Sequence, residues 1–363
     1  MEIFEKAKIL GEAGKWDSCG PKMCEVNVRE GLGGIYHAKA EHKTCRIFKT
    51  LMDNSCKMDC GYCGNSGTSK CKKKRARYEP EELGGLFNYL HKKLDVNGLF
   101  LSSGVSGDPD VCTERMIEAV KIVRHKYKFR GYVHFKVLPG TSYEMVKQAS
   151  ELADRMSINI EAPTKSVMGE MSSCKDFKND ILKRQVWIKQ LKPGWGQSTQ
   201  MIVNDKATDK DVLKRTEWEY SAMELRRVYY SAFRPVPGTT MEREKEESLH
   251  RQNHLYNCDF LLREYKYKLS EFDVVMEDGM LPKEDPKLAI AMATFDGALD
   301  VNEATYEELI RVPGIGPRTA ARIVGMKGKI KKYEDLHKFG GWVNRAKPFI
   351  SVDGRRQKML MEF

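Results

Sequence analysis

Residues 54–63 read Asn54-Ser55-Cys56-Lys57-Met58-Asp59-Cys60-Gly61-Tyr62-Cys63, and the rest of the chain is organised around them. The cysteines stand at C-x3-C-x2-C spacing. A cubane 4Fe–4S cluster has four irons and normally takes four thiolates. A loop offering only Cys56, Cys60 and Cys63 holds three irons and leaves the fourth open to a small chelating molecule. Two plainer readings compete, a zinc site and three structural thiols. A structural zinc wants a fourth ligand at closed tetrahedral geometry, and neither Cys nor His follows Cys63 before Cys71.

Working outward, residues 45–52 (Cys-Arg-Ile-Phe-Lys-Thr-Leu-Met) read as a strand that feeds the loop. Downstream, short apolar runs alternate with amphipathic stretches. Strands are predicted near residues 46, 98, 132, 156, 199 and 228, with helices over 80–93, 113–127, 142–153, 177–190 and 209–225. Such alternation implies a parallel sheet. Six β/α units make three-quarters of a (β/α)8 barrel, a fold whose reactive groups come from the C-terminal ends of the strands. The cysteine loop follows the first strand and is expected at that end.

Composition narrows the chemistry. The chain has 363 residues, ten cysteines and a net charge of +11. That charge favours a polyanionic partner. No apolar segment follows Met1 as in a secretory leader, and no 18-residue apolar run exists to span a membrane. Clustered cysteines in such a chain read as metal or cluster ligands rather than disulfides, and the cytoplasm is the expected compartment. Four regions are expected: an N-terminal Cys-containing segment over 1–44, the barrel over 45–240, a helical connecting region over 241–298 and a C-terminal domain over 299–363. The connecting region opens with a charged helix predicted over 241–265. Cys19, Cys24 and Cys45 stand apart from the main motif. They read either as ligands of an auxiliary iron–sulfur or metal site, with Cys71 or His37, or as ordinary buried thiols.

Two stretches point to nucleic acid. Residues 70–77 carry Lys70, Lys72, Lys73, Lys74, Arg75 and Arg77 and no acid. A charge run is usually a solvated face, but this one lies close to the cysteine loop, where Lys72, Lys73, Lys74 and Arg75 suit a phosphate backbone. At the other end, Asn302 is a capping type for a helix over 306–311. Val312-Pro313-Gly314-Ile315-Gly316-Pro317 then leads into a second helix over 318–324. This pattern resembles the helix-hairpin-helix module. There Gly314 and Gly316 let backbone approach a phosphate, and amides near Arg318 point at it with the helix dipole behind them. Residues 300–363 hold 13 Lys/Arg against 8 Asp/Glu, a net of +5. The competing reading is an αα-hairpin used only for packing.

The three-cysteine motif, with Tyr62 just before Cys63, resembles the signature of the radical SAM superfamily. With the hairpin and the stretches between, the chain resembles radical SAM proteins assigned to DNA modification or repair. It departs from them at Tyr36, where the family carries a cysteine, and between Phe233 and His254. The resemblance implies a partial (β/α)6 barrel with a small all-α helix-hairpin-helix C-terminal domain. It implies a 4Fe–4S cluster on Cys56, Cys60 and Cys63 and S-adenosylmethionine as cosubstrate, cleaved to a 5′-deoxyadenosyl radical that acts on DNA. Tyr62 would lie near the adenine; Ser102, Ser103 and Gly104 would hold the methionine amino group; Asn159 and Glu161 would meet the ribose and a methionine charge. Lys136 would meet a carboxylate or a phosphate, and Gln197 and Gln200 flank the fifth strand. A ferredoxin or flavodoxin as electron donor and a uracil-DNA-glycosylase-like protein are the implied partners. Two other functions fit the same residues: a tRNA- or RNA-modifying enzyme inserting sulfur or methylthio from a second cluster, and a non-catalytic iron–sulfur protein that binds nucleic acid. No cobalamin signature, P-loop or dinucleotide fingerprint is found.

Overall fold

The computed structural model describes residues 1–15, 24–25, 33–40, 43–326, 330–339 and 343–354. The chain divides into two compact units. One comprises Met1–Ala207 and Trp218–Gln252, the other Thr208–Glu217 and Asn253–Phe363.

In the first unit, strands form one sheet in chain order. They are β1 (Cys24–Glu25), β2 (Ile35–Ala40), β3 (Lys43–Leu51), β4 (Gly98–Ser102), β5 (Tyr132–Lys136), β6 (Arg155–Ser157), β7 (Gln197–Val203) and β8 (Arg227–Ala232). From β3 to β8 every pairing is parallel. β4 is buried at every position, the mark of a strand covered on both faces. Between the strands lie helices whose starts are written in the sequence. Pro80–Leu94 opens with a Glu79/Glu82 capping box and Pro80 in its first turn. Pro109–Lys121 is capped by Asp108, which accepts from Asp110 and Val111 amides. Right-handed crossovers between sequential strands put these helices on one face of the sheet. The sheet curls, so that Leu51, Ser102, Lys136, Ile158, Ile202 and Ser231, at or close to the C-terminal ends of six strands, line one cavity. This is the expected partial (β/α)6 barrel.

Ahead of the first parallel pairing, β2 pairs antiparallel with β3, Ile35 opposite Phe48 and Ala40 opposite Lys43. Two local readings are corrected. The strand predicted through Glu161 pairs regularly only as far as Ser157. Beyond it the Thr199 hydroxyl enters the ladder, accepting from the Ile160 amide at 3.1 Å and donating to the Ile158 carbonyl at 2.7 Å. The helix predicted from residue 241 starts at Leu249. Met241 is instead tied to the cysteine loop, its amide donating to the Gly61 carbonyl at 3.1 Å.

The second unit is mainly helical, around buried Val301, Leu309, Val312, Ile315, Ala320, Ile323 and Ile330. Helix Pro286–Thr294 contributes Ala291 to that core. A short parallel pair, β9 (Leu299–Asp300) with β10 (Ile350–Ser351), interrupts the expected all-α character. The cap of helix Tyr306–Leu309 is Thr305, boxed with Glu308, rather than Asn302. The Asn302 amide instead donates to the Ile330 carbonyl at 3.0 Å. Among the described residues no helix is long and apolar enough to cross a membrane.

Candidate functional site

The cysteine loop is held in place largely by backbone. Lys57 donates to the Val105 carbonyl and Gly61 to the Met171 carbonyl, both at 2.8 Å. Gly104 donates to the Asp53 carbonyl at 2.7 Å. A Cβ on Gly104 would lie 2.2 Å from the Ser55 carbonyl oxygen, so only glycine permits this approach. Asn54 bridges the loop to the basic run, donating to the Lys74 carbonyl and accepting from the Ala76 amide. Asp59, between the first two cysteines, accepts from the Ser172 hydroxyl, the Ser173 amide and the Cys174 amide. Although burial opposes its charge, hydrogen bonds from Ser172 and Ser173 hold the Asp59 carboxyl well below the usual carboxylate range. A charged group bonded this often is a fixed anchor.

Cys56, Cys60 and Cys63 line the cavity at the C-terminal ends of the strands. So do Tyr62, Ser102, Ser103, Gly104, Lys136, Asn159, Glu161 and Gln200. Gln197 does not. It opens β7 at the opposite, N-terminal end, where its amide donates to the Gln185 carbonyl at 3.2 Å. Chain direction decides this: only residues late in a parallel strand reach the reactive end.

Inside the cavity Lys175 joins Tyr62 to Glu161. The Lys175 ammonium donates to the Tyr62 hydroxyl at 3.0 Å and lies 3.8 Å from the Glu161 carboxylate. Burial works against its charge, but Cys60 and Glu161 outweigh burial and raise its pKa. Burial also pushes the Cys63 thiol up to about 11 and the Cys56 thiol above its ordinary value. The Cys63 sulfur accepts from the Asn65 amide at 3.4 Å. Glu161 itself has a left-handed φ of 59°, costly for a side chain other than glycine or asparagine and typical of functional sites. Four basic side chains (Lys73, Lys136, Lys175 and Arg234) and one acid, Glu161, line the cavity. That balance suits an anionic ligand.

These donors fit a cluster. Cys56, Cys60 and Cys63 come from one loop and line one cavity, and a cubane takes its thiolates on separate irons.

Of the auxiliary candidates, the side chains of Cys45, Cys71 and His37 lie among the described residues. Cys19 and the Cys24 side chain lie outside the described residues. Cys45 pairs with Ala38 while His37 pairs with Arg46, so Cys45 and His37 face opposite sides of the sheet. Cys71 donates to the Pro237 carbonyl. The basic run is divided. Arg75 is spent on the Asn54 and Asn65 carbonyls, Lys74 pairs with Glu5 at 3.0 Å, Lys73 reaches the cavity and Lys72 is exposed. In the second unit Gly314 adopts a φ of 88°. Gly316 caps helix Pro317–Val324, with Pro317 in its first turn and Arg318 exposed beside it.

Sequence reasoning missed Lys175, Arg234 and the Ser172/Ser173 clamp. Asp59 was visible inside the motif. Nothing in the order of residues tied Lys175, more than 110 positions away, to Tyr62.

Residues 296–342 match the family model described as the helix-hairpin-helix motif, so such a domain lies near the C-terminus. No curated protein matches the sequence. Among solved structures, HydG, described as a maturase of the FeFe-hydrogenase, aligns at TM-score 0.48 and 12% identity over 59% of this chain and 48% of its own. Methylornithine synthase PylB aligns at 0.48 and 15% over 60% and 61%. The tagged anSMEcpe with bound AdoMet aligns at 0.45 and 12% over 61% and 60%. This chain therefore spans only about half to three-fifths of those proteins.

Proposed function

We propose that this chain is a radical SAM enzyme that modifies or repairs a nucleotide in DNA. One observation carries the reading: the three cysteines and every other candidate cofactor residue except Gln197 line a single cavity at the C-terminal ends of the strands. Cys56, Cys60 and Cys63 hold the 4Fe–4S cluster as thiolates. With S-adenosylmethionine bound, that cluster supplies a 5′-deoxyadenosyl radical able to take a hydrogen atom from a substrate carbon.

The protein's part is binding and exclusion. Tyr62, Ser102, Ser103, Gly104 and Asn159 line the wall that receives the cosubstrate, and the Lys175–Glu161 pair fixes the charge beside it. Lys73, Lys136 and Arg234 favour a phosphate-bearing substrate. A base stacked in a duplex cannot enter such a cavity, so the target is single-stranded or flipped out. In the second unit the exposed Arg318, with the Gly314–Gly316 turn, holds a strand by its backbone, which positions it without reading sequence; in the first unit the exposed Lys72 suits a phosphate as well. A ferredoxin or flavodoxin supplies the electron in the cytoplasm, and a uracil-DNA-glycosylase-like protein is the expected companion. Backbone contacts of this kind accept RNA as well, so tRNA is the competing substrate.

Nucleosides from total DNA and total tRNA, taken from anaerobic cells with and without this chain and compared by mass spectrometry, test the reading. Loss of a deoxynucleoside with the gene is the expected result for modification. Loss of a ribonucleoside moves the enzyme to RNA. If neither pool changes, damaged oligonucleotides are the next substrate, and their inertness overturns the DNA reading.

A further inference from the structure

The second unit has a larger cavity of its own, about 860 Å³, that the function above does not use. Tyr265, Phe295 and Phe349 give it aromatic walls, and Gly314 of the hairpin turn lies on its rim. Lys287 lines it although the residue is only 9% exposed. Its ammonium position lies 2.6 Å from the Ile315 carbonyl, to which it donates, and 4.4 Å from the centre of the Tyr265 ring. Among the described residues it makes no ion pair, which is uncommon for a buried lysine.

We propose that this cavity receives an aldehyde-bearing sugar of a nucleic-acid strand and that Lys287 is the amine that condenses with it. The proposal rests on the nucleic-acid reading above, because the strand is brought there by the hairpin turn on the cavity rim. A nucleotide that has lost its base opens in part to an aldehyde at C1′, which supplies the carbonyl. In the step, the nitrogen lone pair of Lys287 attacks the carbonyl carbon and forms the C–N bond. The carbonyl oxygen takes up two protons and leaves as water, and C=N remains; amine plus aldehyde give imine plus water. An amine does this only when neutral, and desolvation in an apolar pocket is one way lysines are activated.

Surroundings agree with that requirement. Burial lowers the Lys287 pKa to about 7; Asp285 opposes the shift and Arg311 adds to it. Asp296 and Arg345 also face the cavity and offset one another in sign. The hydrogen bond to Ile315 takes one N–H, and a neutral amine keeps its lone pair.

The test uses the full-length protein, 2-deoxyribose 5-phosphate and cyanoborohydride at pH 7, with modified lysines mapped by mass spectrometry. Lys287 is expected to be reduced onto the sugar at least about tenfold faster than the exposed Lys72 and Lys74, and its rate should rise between pH 6 and 8. Labelling of Lys287 no faster than those two overturns the proposal. A second arm replaces the sugar with an abasic oligonucleotide whose binding is followed by fluorescence anisotropy. A borohydride-dependent adduct at Lys287, lost in Lys287→Met, is expected. Binding without that adduct overturns the proposal and leaves the nucleic-acid reading standing. Lys287 labelled by the free sugar, with no strand bound, overturns the nucleic-acid reading and with it the strand-borne substrate.

Discussion

Lys175 and Lys287 each line a cavity, with a side-chain exposure of 8% for the first and a residue exposure of 9% for the second. Burial disfavours the ammonium form of both. Lys175 has Glu161 at 3.8 Å and Cys60 beside it, and its charge is held firmly. Lys287 has a carbonyl and an aromatic ring but no ion pair among the described residues, and its pKa falls to about 7. The difference teaches that burial alone does not set charge state; the partner does. One cavity holds its lysine in the charged form. The other keeps an amine near neutrality.

The comparison can be broken at several points. Cys60→Ala should have the largest effect, reducing bound iron and 5′-deoxyadenosine formation to background in anaerobic assays. Lys175→Met should follow. It leaves Glu161 buried without its partner, a loss worth about 3–5 kcal/mol in such pairs, measurable by urea unfolding. Lys287→Met should cost under about 1.5 kcal/mol at pH 9, because an unpaired amine is replaced by a side chain of similar volume. Equal costs for the two lysines would end the comparison.

The pH dependence sharpens it further. The folded Lys287 pKa is about 7 against 10.5 for a free lysine, so between those values the unfolded chain binds the extra proton. Stability must therefore rise with pH across this window. Wild type should gain on Lys287→Met by up to about 1.4 kcal/mol per pH unit between pH 7 and 9. Gly104→Ala should cost about 1–3 kcal/mol and loosen the cysteine loop, since the new Cβ meets the Ser55 carbonyl. Arg318→Ala should have the smallest effect, lowering the slope of log K against log salt for oligonucleotide binding by about 1.

Much of the fold was legible because buried parallel strands carry continuous apolar runs. Gly98–Ser102 and the cysteine loop could be placed from composition and order alone. Most of the cavity wall was legible too, once the loop was assigned to the C-terminal end of its strand. Gln197 was misplaced because a strand's start and end carry the same residue types; only direction separates them. The short β6 could not be anticipated, because it depends on the Thr199 hydroxyl entering a neighbouring ladder. Lys175 and Lys287 were invisible for a related reason. A lysine in a charged sequence reads as solvated until tertiary packing buries it, as happens to Lys287 on helix Pro286–Thr294.

Reductive cleavage of S-adenosylmethionine in the cavity is what the proposed function requires first. The anaerobically reconstituted protein, reduced with dithionite and given S-adenosylmethionine, should form 5′-deoxyadenosine, and Cys60→Ala should form none. A protein that carries its full complement of iron and sulfide under those conditions, yet yields no 5′-deoxyadenosine with or without oligonucleotide, would contradict the account.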